Sequence, residues 1–147
     1  MNLADLKGLA GREIAVTEWM EITQERINNF ADATDDHQWI HIDPERAQGE
    51  SPYGSTIAHG FLTLSMLPKF LKDSLQIDDV RMTINYGVNR VRFPSAVRAG
   101  SRIRARIVLQ SVREVGNASE ATYAITVECD GSEKPCCVAE LLARYYP

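Results

Sequence analysis

Cysteine is scarce in this chain of 147 residues. The three cysteines, Cys129, Cys136 and Cys137, are odd in number and include an adjacent pair. Because a disulfide framework uses cysteines in even, spaced sets, this pattern indicates reduced, buried thiols and a cytoplasmic protein. The sequence also has three histidines and no Cys-x-x-Cys pair, so we expect no metal site.

Long apolar runs are absent as well. The longest spans residues 60–71, and it is interrupted by Thr63, Ser65, Pro68 and Lys69. A helix that crosses a bilayer needs about 20 apolar residues. The first residues carry acids early and lack a continuous apolar core, which is not the pattern of a signal peptide. We therefore expect no membrane partner.

An excess of positive charge is also missing. The formal net charge is −4, which argues against nucleic acid as a partner. The charge is unevenly placed, however, because the segment 80–113 contains eight arginines and no acidic residue. Such a strip suits a small phosphorylated ligand. The alternative is that arginine simply covers the solvent face of strands.

What remains, 44% hydrophobic and 24% charged residues, is the composition of a folded domain. A chain of this length buries roughly 70% of the surface that its unfolded form exposes, so it needs no disulfide or metal for stability. No repeat and no flexible linker divides the sequence. We expect residues 1–147 to form a single domain.

The first half of the chain has helical patterns. Apolar spacing predicts a short helix from about Gln24 to Ala33 with Thr23 as its cap, and a second helix begins at Pro44 after the cap Asp43. The segment 48–56 is rich in glycine and serine and is predicted as a loop. From Phe61 to Leu75 a helix is apolar over most of its circumference, so it should be buried, and Pro68 should kink or divide it.

The second half alternates apolar and polar residues with a period of two, which predicts strands over residues 80–86, 103–109 and 123–129. Residues 138–146 are apolar on both faces apart from Glu140 and Arg144, as in a central strand. Turns are expected at Gly116-Asn117 and Asp130-Gly131. One buried helix packed against one curled antiparallel sheet gives an α+β fold.

Asp36 and His41 are the first candidate catalytic residues. A carboxylate and an imidazole that converge on one water molecule can orient it and remove its proton. The alternative is that Asp36 forms a turn and His41 is a histidine with satisfied hydrogen bonds in a half-buried loop.

Gly60 begins the buried helix. Amides of a first helical turn lack intrahelical acceptors, so this one could polarise a carbonyl and stabilise an enolate. The alternative is that Gly60 merely permits a tight entry into the helix. His59 is predicted to close the loop by a side-chain hydrogen bond. Ser65 lies further along the helix and needs a polar partner, for which the Asp36 loop is one candidate.

Two segments carry a resemblance to a known family. Residues 30–47, FADATDDHQWIHIDPERA, and residues 56–67, TIAHGFLTLSML, resemble the MaoC-like dehydratases, also called R-specific enoyl-CoA hydratases. Gln-Trp-Ile-His at residues 38–41 is similar to the nodulation protein N-like subfamily. Residues 85–87 and 89–94 resemble the strand that follows in this family, and the similarity runs from about Gly11 to Arg106.

The resemblance implies a hot-dog fold, in which an antiparallel sheet wraps a long central helix, and a homodimer with active sites near the subunit boundary. It implies reversible hydration of trans-2-enoyl-CoA to (R)-3-hydroxyacyl-CoA, with no cofactor beyond the coenzyme A of the substrate. By this resemblance Asp36 and His41 hold and activate the water, and the Gly60 amide donates to the thioester oxygen. We expect Ser65, Arg90, Arg92 and Arg98 to bind substrate, the arginines through phosphates of the carrier, coenzyme A or an acyl carrier protein.

The chain departs from the family pattern at Asp35, where glycine is usual. A carboxylate beside Asp36 either raises the pKa of that aspartate or points to solvent, and the turn loses a residue that tolerates positive φ.

Two alternative functions stay open. One is a hot-dog thioesterase, which typically uses a carboxylate on or beside the helix, and residues 61–71 offer none. The other is a non-catalytic module that binds acyl thioesters.

Overall fold

The computed structural model describes residues 1–147 and contains six helices and six strands. The helices are α1 (Leu3–Lys7), α2 (Gln24–Thr34), α3 (Trp39–Ile42), α4 (Pro44–Glu50), α5 (Gly60–Ser65) and α6 (Leu67–Ser74). The strands are β1 (Arg12–Val16), β2 (Met20–Glu21), β3 (Met82–Arg92), β4 (Arg102–Val115), β5 (Ala118–Cys129) and β6 (Cys137–Tyr146).

The strands form one antiparallel sheet in the order β1-β4-β5-β6-β3, and β2 also pairs with β4. In register, Ile107 lies opposite Ile125, which lies opposite Ala139 on its other side. These residues point to the same face, and alternate residues along β4, β5 and β6 are buried. β6 is paired on both sides, as predicted for a central strand.

Helices α5 and α6 pack on the inner face of this sheet. Their buried apolar residues, Leu62, Leu67, Phe70 and Leu71, join the sheet in one hydrophobic core, together with Met66 between the two helices. The predicted α+β architecture, a sheet around central helices, is therefore confirmed. None of the helices is long and apolar enough to span a bilayer.

The central helix is divided at Met66, as predicted from Pro68. Proline has no amide hydrogen to donate to the carbonyl four residues earlier, and its ring would clash with that carbonyl. The chain instead tightens, since the Met66 amide donates to the Thr63 carbonyl at 3.1 Å, and α6 starts with Pro68 in its first turn.

Both predicted helix caps are present. The hydroxyl of Thr23 accepts from the Arg26 amide and the carboxylate of Asp43 accepts from the Arg46 amide, each at 3.1 Å.

The predicted loop over residues 48–56 is wrong at its start, because α4 continues to Glu50. The burial predicted for the start of the central helix is also wrong. Phe61 is 67% exposed, and its ring lies edge-on to that of Phe93 with centroids 6.0 Å apart.

Strand β3 is longer than predicted and lies at an edge of the sheet. It starts at Met82 rather than Val80 and ends at Arg92. Four of its apolar residues are between 42% and 55% exposed: Met82, Ile84, Tyr86 and Val88. One side of this strand therefore has no partner strand within the chain.

The elements before residue 24 were not predicted. Helix α1 and strands β1 and β2 are short, and their apolar residues do not repeat over enough positions to show a period. Leu6 and Ile22 nevertheless lie in the core. The three cysteines are free and buried, which agrees with the sequence interpretation.

Asp35 takes up the turn that glycine usually provides. It follows α2 with φ 57° and ψ 27°, in the left-handed region, and its amide donates to the Ala31 carbonyl. Aspartate adopts this conformation more readily than most residues with a side chain. The Asp35 side chain is exposed, in agreement with the prediction that it points to solvent.

Candidate active site

The end of α2 places Asp36. After Asp35 reverses the chain direction, the Asp36 amide also donates to the Ala31 carbonyl, at 3.2 Å. Two donors on one carbonyl end the helix firmly. The Asp36 carboxylate is thus held on an exposed turn between α2 and α3.

His41 lies in the single turn of α3 and is 7% exposed. Its Nδ1 is 2.7 Å from the Ile57 carbonyl. A carbonyl oxygen only accepts, so Nδ1 carries the hydrogen and Nε2 keeps a lone pair. The main chains join at the same point, because the Ile57 amide donates to the Ile40 carbonyl at 3.0 Å.

Gln24 supports the His41 segment from α2. Its side-chain amide donates to the His41 carbonyl at 2.7 Å, and its oxygen accepts from the Thr56 hydroxyl. It therefore connects the segments on both sides of the His41–Ile57 bond. No motif in the sequence points to this glutamine, since its partners lie 17 and 32 residues away.

His59 joins the same cluster. It is 3% exposed, and its ring stacks on that of His41 with centroids 3.8 Å apart. Its Nε2 donates to the main-chain carbonyl of Asp36 at 3.0 Å, which is the loop-closing hydrogen bond predicted from the sequence. Its Nδ1 is buried without a partner in the protein. The stacking on His41 was not predicted.

The three side chains form an acceptor cluster. One ligating atom each from Asp36, His41 and His59 lies within 4.8 Å of the others. His41 Nε2 and the Asp36 carboxylate are both acceptors, so these two side chains suit a molecule that donates hydrogen bonds, such as water. Two imidazoles and a carboxylate are also a zinc donor set. The two rings are within 21° of parallel, so one ion cannot lie in both ring planes.

The environment of His41 favours the unprotonated form of its imidazole. Burial lowers its pKa below 6.5, and the nearby His59 acts in the same direction, whereas the hydrogen bond to Ile57 and the charge of Asp36 raise it. Burial is the largest effect, so the net shift is downward. At neutral pH the imidazole is therefore unprotonated and able to accept a proton at Nε2.

Gly60 is the first residue of α5, directly after His59. Its amide has no acceptor within the protein. A Cβ at this position would lie 2.9 Å from the ring of Phe93, so any other residue would require that ring to move. The amide is therefore available to a ligand at the positive end of the helix dipole.

A cavity of about 570 Å³ opens beside Gly60. A volume of this size suits a small-molecule ligand. Its walls come from the loop before α5, from α5 itself and from the segments after β3 and β5, and include Tyr53, Ile57, Thr63, Phe93, Arg98, Cys129 and Cys136. Asp36 and His41 do not line it, but Ile57, which holds the His41 ring, does.

The predicted substrate residues are not brought together. Arg98 lines the cavity and donates to the Tyr53 carbonyl at 3.0 Å. Arg90 and Arg92 are exposed on β3 and do not line it; Arg90 is 3.8 Å from Glu140 and Arg92 donates to the Val91 carbonyl. Their contact with a carrier stays a prediction.

The partner considered for Ser65 is wrong. Its hydroxyl donates to the Leu62 carbonyl at 2.7 Å, and the residue is exposed and outside the cavity. Ser65 is five residues after Gly60, which on a helix places it on a different face. The hydroxyl of α5 that reaches the cavity wall belongs to Thr63.

Much of the arginine strip is neutralised. Arg102 pairs with Asp130, Arg104 and Arg106 pair with Glu128, and Arg113 pairs with Glu120. These four arginines fit the interpretation that arginine covers strands. Arg98 is the one member of the strip that lines the cavity.

The chain is similar to proteins of one known family. The model of the MaoC like domain matches residues 5–129. The chain is 51% identical over 145 residues to 3-hydroxyacyl-thioester dehydratase Z of Mycobacterium tuberculosis, covering 98% of this chain and 95% of that protein. It is 44% identical over 152 residues to Nodulation protein N of Rhizobium meliloti, covering 97% and 90%.

Solved structures share the fold. The (R)-hydratase from A. caviae involved in PHA biosynthesis has a TM-score of 0.70 at 19% identity, covering 92% of this chain and 97% of that one. The monoamine oxidase regulatory protein from Archaeoglobus fulgius has a TM-score of 0.75 at 24% identity, covering 94% and 91%. At this identity the likeness shows the hot-dog fold, which confirms the fold predicted from the sequence.

The imidazole tautomers are directly testable by ¹⁵N NMR. At pH 7 we expect His41 with its hydrogen on Nδ1 and His59 with its hydrogen on Nε2, because each donates to a carbonyl. A titration should place the pKa of His41 below 6.5, since burial disfavours its charged form. A His41 ring protonated on Nε2 at pH 7 contradicts the assignment.

Proposed function

This chain belongs to the MaoC-like dehydratase family of hydro-lyases, and we propose that it hydrates trans-2-enoyl-CoA to (R)-3-hydroxyacyl-CoA and catalyses the reverse dehydration. The observation that carries the proposal is that His59, a member of the acceptor cluster with Asp36 and His41, directly precedes Gly60, whose amide is unpaired. The cluster can hold a water molecule, and the amide can hold a carbonyl oxygen.

The water is activated by the Asp36–His41 pair. Asp36 is the general base, and His41 shares the water through Nε2 and passes the proton on. The hydrogen bond from Nδ1 to Ile57 supports this role, since it leaves Nε2 unprotonated. Positioned proton transfer of this kind contributes about a hundred- to ten-thousandfold to a rate.

The thioester is activated by the Gly60 amide. As the water oxygen bonds to C3 of the enoyl group, the electrons of the double bond move toward the thioester oxygen. A hydrogen bond from Gly60 stabilises the negative charge that develops there. Return of the proton to C2 completes the addition. The hydroxyl group of the water is then on C3 and its proton is on C2, so the reaction needs no cofactor.

The stereochemistry follows from the fixed water. A water held by side chains on one side of the bound enoyl group reaches C3 from a single face, so one enantiomer forms. The R configuration is supported by the solved neighbour that is an (R)-hydratase. Arg98 at the cavity, and Arg90 and Arg92 beyond it, are proposed to meet phosphates of coenzyme A or of an acyl carrier protein.

The alternative functions have less support. A thioesterase would use a carboxylate on or beside the central helix, but α5 has no acidic residue, and Asp73 of α6 is exposed and paired with Lys69. A non-catalytic module was suggested by Asp35, yet this residue forms the left-handed turn with its side chain exposed.

Two substitutions test the chemistry. We expect Asp36→Asn and His41→Ala each to lower kcat for crotonyl-CoA hydration by about a hundredfold or more, because each removes a proton acceptor from the water. The assay follows loss of the conjugated enoyl absorbance. Asp32→Asn and His37→Ala are matched controls, because these residues pair with each other on the exposed surface.

The same assay separates the three functions. Loss of absorbance without release of a thiol indicates hydration, release of a thiol indicates a thioesterase, and binding without either indicates the non-catalytic module. Full activity in a folded Asp36→Asn or His41→Ala variant refutes the assignment of the pair.

We also propose that the protein is a homodimer joined along β3. This strand has an unpaired edge and four half-exposed apolar side chains, Met82, Ile84, Tyr86 and Val88. An unpaired edge strand is a template for pairing with another chain. A second copy that pairs β3 with β3 would cover both the edge and these side chains.

Sedimentation tests the dimer. The wild-type protein should sediment at twice the 16.4 kDa chain mass. Replacing Ile84 with Asp should shift it toward the monomer, because two like charges would meet near the shared edge. Replacing Thr122 with Asp on β5, away from this edge, is the control. A monomeric wild type at micromolar concentration contradicts the proposal.

A further inference from the structure

Thr63 lies one helical turn after Gly60 in α5. Residues three apart on a helix share a face, with Cβ atoms about 5–6 Å apart. Thr63 is 2% exposed and lines the cavity that Gly60 also lines. A buried polar side chain is therefore placed directly beside the unpaired amide.

The Thr63 hydroxyl has no partner in the protein. Serine and threonine within helices commonly bond back to a carbonyl three or four residues earlier. Ser65 and Ser74 do so, at 2.7 and 2.8 Å, but Thr63 does not. The Thr63 hydroxyl oxygen is also not fully buried. His59 Nδ1 is the only fully buried side-chain nitrogen or oxygen that lacks a hydrogen-bond partner. The Thr63 oxygen therefore keeps some accessible surface, and the cavity is the open space that Thr63 lines.

Two serine hydroxyls of the cavity wall are already engaged. Ser95 donates to the carbonyls of Lys134 and Pro135, and Ser132 donates to the Lys134 carbonyl. Thr63 differs from these serines because its donor is uncommitted and adjacent to Gly60.

Resting on the proposed function, we propose that Thr63 is a further catalytic residue, whose hydroxyl donates a second hydrogen bond to the thioester oxygen. As water adds to C3, negative charge builds on that oxygen, and the Gly60 amide and Thr63 hydroxyl both donate to it. Neither gives up its proton, and the proton from water still goes to C2. Paired donors of this kind stabilise an oxyanion more than one amide does.

Thr63→Val tests the proposal, because valine keeps the shape of threonine and removes the hydroxyl. We expect kcat for crotonyl-CoA to fall about a hundredfold, the loss typical of one oxyanion donor, with little change in KM and no loss of thermal stability. Thr63→Ser, which restores the donor, should regain most of the activity. Thr122→Val, on the outer face of β5, is the control for a threonine outside the site.

The outcomes are distinguishable. A wild-type protein that does not hydrate crotonyl-CoA defeats the proposed function, whereas an active wild type with an equally active, folded Thr63→Val defeats the role of Thr63 alone. If Thr63→Val does not fold, the pair Thr63→Ser and Thr63→Ala decides the question. Active serine with inactive alanine supports the hydroxyl, and equal activity of the two overturns it.

Discussion

The hydrogen bond from His41 Nδ1 to the Ile57 carbonyl is the contact on which the site depends. It joins the single turn of α3 to the segment that leads into α5. Since the bond is buried, leaving either group unpaired would cost about 1–3 kcal/mol. It also sets the chemistry, because a carbonyl can only accept and therefore leaves His41 Nε2 as the unprotonated nitrogen.

The rest of the fold holds the two ends of this bond in place. On one side, Asp35 ends α2 in a left-handed turn and Gln24 holds the His41 carbonyl. On the other side, α5 packs through Leu62 on the sheet and brings the Gly60 amide to the cavity. His59 connects the two sides, since it stacks on His41 and donates to the Asp36 carbonyl. The acceptors for water and the donor for a carbonyl are thereby fixed on rigid elements.

Local patterns predicted the parts of this arrangement that depend on neighbours in sequence. The caps Thr23 and Asp43, the break before Pro68 and the strand periods are all short-range effects, and each is present. Contacts between distant segments could not be predicted this way: nothing near Gln24 or Thr63 in sequence indicates their surroundings. Ser65 was the predicted substrate residue, but which hydroxyl of α5 reaches the cavity depends on how the helix packs on the sheet, and that residue is Thr63.

A crystal structure of the Asp36→Asn variant with trans-crotonyl-CoA tests the central claim most directly. The account predicts that the thioester oxygen lies within about 2.7–3.2 Å of the Gly60 nitrogen and that C3 faces His41 Nε2 across one water molecule. A thioester bound elsewhere in the cavity, with C3 directed away from His41, would contradict it.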